Sequence, residues 1–419
     1  MLKFNLPRKE ALLSANSKEL EANEDRYRWV ILALLWLLYV TFGLVFRTLA
    51  PLVTPIIEEL NLSYSQMGFI LGSWPLTYIA VAVIAGTIID KWGVRKSIFA
   101  GGIIIGLSAV LRYFPQGFVT MLLVVALFGV GGPMISIGGP KTLSVWFRGK
   151  GRGTAVGIYM TGPWVGGILA LALTNSFVMP LVGYSWRLTF VCYGLIAFAV
   201  ALLWLFLARE KKSTIAPEEA SIGKVLINLI RVRNVQVLLI IGLLSFAAAH
   251  GFTNWLPNLL ETSGLSPSIA GFAASIPLAA GIPAILVLPR LVPVHLRGAF
   301  VASFALLAMA ALWFVVIASG AALIIGLIVY GGAASCFLPI ILLLLMDAPE
   351  VDSRYMGSAG GILFCVAEIG GFTGPLVMGA LVDVSGAFQA GAAFLASLYL
   401  AIFALTFLLK VRPISLQEV

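Results

Sequence analysis

Charge is scarce in this chain. Only 11% of its 419 residues are charged, against 60% hydrophobic, and the mean hydropathy is +1.03. Soluble domains carry about 25% charged residues because a folded surface has to be hydrated, so this composition excludes a soluble fold and places the chain in a bilayer. Cysteine is rarer still: Cys192, Cys336 and Cys365 each sit inside an apolar run, which argues against a disulfide framework or a metal site. Two histidines, His250 and His295, are too few and too dispersed for a zinc cluster. A glycine-rich phosphate loop and a nucleophile elbow are both missing. Enzyme chemistry and a bound cofactor are therefore not expected.

What is abundant is long apolar sequence, with 43 glycines and 10 tryptophans. A transmembrane barrel would alternate polar and apolar residues over segments of about ten, but the runs here are about twice that length and suit helices. Twelve spans are predicted, near 29–57, 66–88, 97–115, 118–145, 152–178, 187–208, 234–260, 268–289, 298–317, 321–346, 355–381 and 387–409. The expected fold is an all-α membrane protein with a tail over 1–28, a six-helix bundle over 29–208, a linker over 209–233, a second bundle over 234–409 and a tail over 410–419. The first 28 residues mix basic and acidic side chains and show no signal-peptide pattern.

The net charge of +9 resembles a hint of nucleic acid until the basic residues are placed. Of 27 Lys and Arg, 24 fall in the tails and in alternate loops, all on one side of a twelve-span chain. The excess is a topology signal that predicts cytoplasmic termini in a cell (inner) membrane, and the nucleic-acid reading loses its support. Arg187 and Arg112 are expected at outer helix ends beside Trp186 and Tyr113, where a charge can reach water. Arg47 alone is then stranded.

The linker divides the chain into six plus six spans, and an internal repeat supports the division. Asn61–Phe69 overlies Gly264–Phe272 at an offset of 203, and Gly153–Gly157 and Gly166-Gly167 overlie Gly357–Gly361 and Gly370-Gly371 at 204.

Two motifs then carry a family resemblance. Gly86-Thr-Ile-Ile-Asp90-Lys91-Trp-Gly93-Val-Arg95-Lys96, after the second span, resembles the G-x-x-x-D-[RK]-x-G-[RK]-[RK] loop of the major facilitator superfamily. Gly157-Ile-Tyr-Met-Thr-Gly162-Pro163-Trp-Val-Gly166-Gly167 in the fifth resembles its G-P-x-x-G-G element. The resemblance implies secondary transport by alternating access, with two bundles rocking about a central site, and helices 1, 4, 7 and 10 lining the cavity. Gating is expected at Gly86, Asp90, Gly93 and Arg95, with Asp90 in an inter-helix ion pair, and at Gly162, Pro163, Gly166 and Gly167, where missing bulk permits close approach and bending at the interface between halves. Asp90 as a plain helix terminator and the glycines as generic packing remain alternatives. The second half has Pro293 at the position equivalent to Asp90 at the offset of 203, within Pro289–Arg297, so the loop is not repeated. The arginine in helix 1 and Tyr78 in helix 2 resemble organic-anion members, whereas Gly251–Pro257 is more similar to the cyanate and nitroimidazole branch. Phe46 stands where organic-anion members often have Asp, so a monoanion or small zwitterion is expected.

Ionisable groups inside a bilayer cost about 2.5–3.5 kcal/mol at a helix centre on insertion scales and mark function by default. Arg47 is one; applying the offset of 203 makes His250 its repeat mate, and Glu368 in helix 11 is the third. A guanidinium matches carboxylates and cannot discharge by losing its proton, so Arg47 is the expected anion-binding residue unless it pairs permanently with Glu368. Glu368 can shed its charge by taking up a proton and is the candidate for proton coupling, a hydrogen-bonded structural acid being the alternative. His250 could bind the anion or relay a proton, or simply hydrogen-bond Asn254 one turn on. Tyr78, Tyr159, Asn254, Trp255 and Tyr330 are candidate pocket companions, each also readable as packing. The function expected is proton-linked transport of a small anion by a monomer. A non-transporting receptor or assembly protein and an exporter of lipophilic compounds are the alternatives; Arg47 counts against the exporter.

Overall fold

In the computed structural model, residues 6–147, 149–210, 229–348 and 356–409 are described. Residues 1–5 of the first tail, 211–228 of the linker, the loop residue Arg354 and the tail over 410–419 lie outside them, as does Arg148. Among the described residues there are twelve spans, counting a bent pair as one: Arg26–Leu60 (α1), Tyr64–Trp92 (α2), Val94–Leu111 (α3), Phe118–Trp146 (α4), Gly151–Leu181 (α5), Trp186–Leu207 (α6), Arg233–Thr262 (α7), Pro267–Leu291 (α8), Val294–Ile317 (α9), Gly320–Asp347 (α10), Ser358–Ser385 (α11) and Phe388–Thr406 (α12). Eleven of these pass a length and hydropathy criterion for crossing a membrane as single helices, and bent α2 makes the twelfth. The expected all-α membrane fold is what is found. The helix that enters α1 is continuous from Leu6, well before the apolar span.

Local signals explain the ends. Ser63 and Gln66 form a capping box at the start of α2, with Gln66 N donating to Ser63 Oγ at 3.1 Å and Ser63 N to Gln66 Oε1 at 3.0 Å. Gly93, at φ +83°, makes the tight turn from α2 into α3, a conformation that side chains resist. Within α1, Pro51 lacks an N–H and its ring crowds the carbonyl four residues back, which is that of Arg47. The α-helix accordingly stops at Arg47, passes through a 3₁₀ turn at Ala50–Leu52 and resumes at Val53.

Packing repeats between halves. In the first, α1 packs on α5 and α6, α2 on α4, and α3 on α4 and α6; in the second, α7 packs on α11 and α12, α8 on α10, and α9 on α10 and α12. The halves meet where α2 packs on α11 and α5 on α8. Glycine permits the closest approaches, since a Cβ on Gly166 would overlap the Val40 carbonyl of α1 and one on Gly370 the Leu243 carbonyl of α7. The Gly162–Gly167 element thus binds α5 to α1 inside one half, with Gly162 against Tyr39 and Pro163 against Gly43. The same element also reaches the other half, where Gly167 lies against Leu278 and Trp164 against Gly281 of α8.

Arg112 requires a correction. It is 1% exposed, not at water: its guanidinium turns inward from the end of α3, donating from Nη1 to Val45 O at 3.2 Å and lying 5.0 Å from the Phe190 ring. Arg47 is therefore not the sole guanidinium inside the protein. Arg187 does lie at an outer end, where it pairs with Glu59 at 2.9 Å and donates to Tyr113 O at 2.6 Å.

Candidate functional site

The two halves are clasped at the end opposite the termini. Asp383 of α11 accepts from Tyr64 N at 2.9 Å, from Ser65 N at 2.7 Å and from the Ser65 hydroxyl, so an acid of one half caps the first turn of a helix in the other. Asn258 of α7 donates to Thr54 Oγ1 of α1 at 2.7 Å, and Thr54 donates to Glu261. A π-helical turn at Thr174–Val178 in α5 presents Asn175 inward, where Nδ2 donates to Pro51 O at 2.9 Å and Pro267 O at 3.3 Å. Towards the termini the close glycine contacts between α2 and α11 stop: Gly68 and Gly72 meet Pro375 and Phe372, whereas Cβ atoms built on Gly86 and Gly361, like one on Gly157 of α5, would meet nothing within 4 Å.

The Gly86–Lys96 loop lies at that open end. Asp90 pairs with Lys141 of α4, an inter-helix ion pair within one half that is intact although this end is the open one. Arg95 donates from Nε to Leu205 O of α6 at 3.0 Å, and Gly93 lies against Glu210. His295 is exposed, in the short 3₁₀ turn that opens α9.

At the centre, Arg47 Nη1 donates to Thr253 Oγ1 of α7 at 2.7 Å, and Thr253 in turn donates to Ala249 O at 2.6 Å. The guanidinium lies 4.5 Å from the Phe46 ring. A Cβ on Gly167 would come within 3.1 Å of Arg47 Cγ, so the glycine makes room for the arginine's stem. Arg47 and Glu368 do not form an ion pair, whereas Lys141–Asp90, Arg187–Glu59 and Arg297–Asp347 do. Arg47 keeps partial exposure, which leaves the rest of its fork facing accessible space.

Glu368 is 8% exposed, and its Oε2 has no hydrogen-bond partner. His250 Nδ1 is likewise buried and unpartnered, as is Asn254 Nδ2, so the His250–Asn254 bond is not made. The imidazole stacks with Phe246 at 5.5 Å and Trp74 at 6.2 Å, and the Phe46 ring lies 6.0 Å from it, which places His250 beside Arg47's neighbour.

The companions divide. Tyr78 OH bonds Ser136 Oγ at 2.7 Å, and Tyr330 OH bonds Tyr399 OH at 3.0 Å with both rings buried. Tyr159 donates to Ile135 O at 2.8 Å and Trp255 to Pro375 O at 2.9 Å, bonds that hold helices together. Thr253 and Trp74 were missed because neither is charged. Thr253 lies three residues from His250 in a run already suspected of lining the site, and that was the available signal.

The sequence pattern of the Major Facilitator Superfamily matches residues 35–372. The chain is 26% identical over 400 residues to a hexuronate transporter of Bacillus subtilis (strain 168), covering 88% of this chain and 91% of that one. It is 24% identical over 185 residues to a galacturonate transporter of Dickeya chrysanthemi, covering 44% and 53%. Among solved structures it is similar to a bacterial homolog of the human lysosomal transporter Spinster, with a TM-score of 0.72 at 18% identity over 91% of this chain and 96% of that one. With a pattern match across most of its length, two packed six-helix halves and twelve spans, the chain belongs to the Major Facilitator Superfamily.

Proposed function

We propose that this protein is a secondary transporter that carries a small organic monoanion across the cell membrane by alternating access, with Arg47 as the anion-binding group. The observation that carries the reading is the state of Arg47: a guanidinium inside the bundle, without a carboxylate partner, held by one hydroxyl of the opposite half. A charge kept there at such cost needs an anion to complete it. The arginine belongs to one half and Thr253 to the other, so an anion on the fork touches both halves and can favour their closure. Relatives named for hexuronate and galacturonate agree with an anionic substrate.

Glu368 is the proposed proton carrier. It stands inside the second half with an oxygen that no protein donor satisfies, and protonation removes the cost of its charge. Asp90 with Lys141, and Asp383 with the α2 N-terminus, are the proposed groups at the two gates. Cytoplasmic termini, a monomeric unit and the bundle boundaries at 29–208 and 234–409 belong to the same reading.

The test is uptake of labelled glucuronate into proteoliposomes under an imposed proton gradient. Wild type is expected to concentrate the anion, Arg47→Ala to lose uptake, and Glu368→Gln to retain exchange while losing the response to the gradient. Uptake that survives Arg47→Ala would sink the anion-binding role, and an unaltered gradient response in Glu368→Gln would remove the proton carrier.

A further inference from the structure

The repeat places two glycines in equivalent settings. Gly167 and Gly371 are related by the offset of 204, and Arg47 and His250 by 203. Gly167 abuts Arg47. Correspondingly, a Cβ on Gly371 would lie 3.1 Å from His250 Nδ1 and 2.8 Å from Glu368 Oε2. Each half thus presents a polar side chain over a glycine notch, but the content of the two notches differs. The first holds a guanidinium. The second holds a carboxyl oxygen and an imidazole nitrogen, both buried and both unpartnered.

A third unsatisfied group accompanies them. Trp74 of α2 is 5% exposed, its ring stacks with that of His250, and its Nε1–H has no acceptor. Buried polar atoms left without partners cost about 1–3 kcal/mol each and are rare in folded proteins. Three of them around one imidazole would be satisfied by a group that can both donate and accept. A second anionic group would meet the Glu368 oxygen unfavourably, and an ammonium group would satisfy that oxygen but leave the indole N–H unmet. A hydroxyl does both jobs.

We infer that the Gly371 notch, lined by Glu368 and His250 with Trp74 beside it, is a second subsite that binds the hydroxyl-bearing end of a hydroxylated carboxylate whose carboxylate is held by Arg47. The inference rests on the anion-binding reading of Arg47 and deepens it. It makes Trp74 and Gly371 determinants of specificity, because a site built to hydrogen-bond a hydroxyl discriminates strongly against the analogue that lacks it.

The experiment compares three probes competing with labelled glucuronate in proteoliposomes: unlabelled glucuronate, hexanoate, which has the carboxylate and no hydroxyl, and 6-aminohexanoate, which adds an ammonium. Purified wild type and variants are also tested for stabilisation against heat by each probe. Wild type is expected to prefer glucuronate over hexanoate by at least about tenfold. Trp74→Phe, which keeps the ring and removes the N–H, is expected to reduce that preference about fivefold or more while binding of hexanoate stays within about twofold. Gly371→Ala, which fills the notch, is expected to do the same. Equal affinity of wild type for glucuronate and hexanoate, a preference for 6-aminohexanoate, or an unchanged preference in Trp74→Phe would each overturn the subsite. Should Gly371→Ala fail to fold, Trp74→Phe decides alone. Failure of the underlying reading looks different: Arg47→Ala would then leave binding of glucuronate and hexanoate alike.

Discussion

Arg47 owes its position to a break in its own helix and to two neighbours. Pro51 ends the α-helix at the arginine, Gly167 clears space for its stem, and Thr253 fixes one of its N–H groups from the far side. A lysine would keep the charge but lose the planar fork. Arg47→Lys is expected to raise the KM for the transported anion about tenfold or more, the loss of one charged hydrogen bond being about 1.5–3 kcal/mol, as read in initial uptake rates. Thr253→Val is expected to act in the same direction by about three- to tenfold, because it removes a single neutral acceptor. At this scale the charged members of the site were legible: subtracting the loop cations leaves Arg47, and the rarity of membrane acids points to Glu368. Arg112 was not. Sequence places it at a helix end beside Tyr113, but whether a long side chain turns out to water or in to the Val45 carbonyl depends on its neighbours in space. The same holds for Trp74, whose interest lies in a missing partner that only coordinates reveal.

Helices here are held by contacts of backbone against backbone, and these are unequal along one element. On α5, a Cβ at Gly166 would overlap the Val40 carbonyl, whereas one at Gly157 meets open space. Gly166→Ala is therefore expected to destabilise the protein by about 1–3 kcal/mol, as overpacking does, and Gly157→Ala to leave it as stable as wild type or slightly more so. Thermal unfolding in detergent separates the two. The span limits read from sequence fall within about four residues of those observed, because an apolar run of bilayer length is a strong signal. The break after Arg47 and the π-helical turn at Thr174–Val178 were not read. The first was within reach from Pro51. The second is followed by Pro180, which lacks an N–H for the Ser176 carbonyl four residues back, and the turn docks Asn175 against Pro51 and Pro267.

For the molecule as a whole, the halves are joined at one end and parted at the other. A disulfide across the joined end would fix that arrangement: with Cys192, Cys336 and Cys365 replaced by serine, the pair Ser65→Cys and Asp383→Cys is expected to cross-link on oxidation and to abolish uptake reversibly, activity returning with reductant. Persistence of full uptake in the oxidised pair would show that α2 and α11 need not separate there. The six-plus-six plan was legible because the repeat survives in sequence at offsets of 203 and 204. Which end is closed was not, since both states must be encoded by the same residues. Asp383 adds a consequence for kinetics. It grips main-chain N–H groups of α2 across the divide, while the acid at the opposite end, Asp90, is engaged inside its own half. On the proposed alternating-access reading, turning from this form to the other must break the Asp383 grip, and that turn is expected to be the slow leg of each circuit. Supplying substrate on the side of the termini should lift that brake, so that one-for-one swapping outpaces net movement.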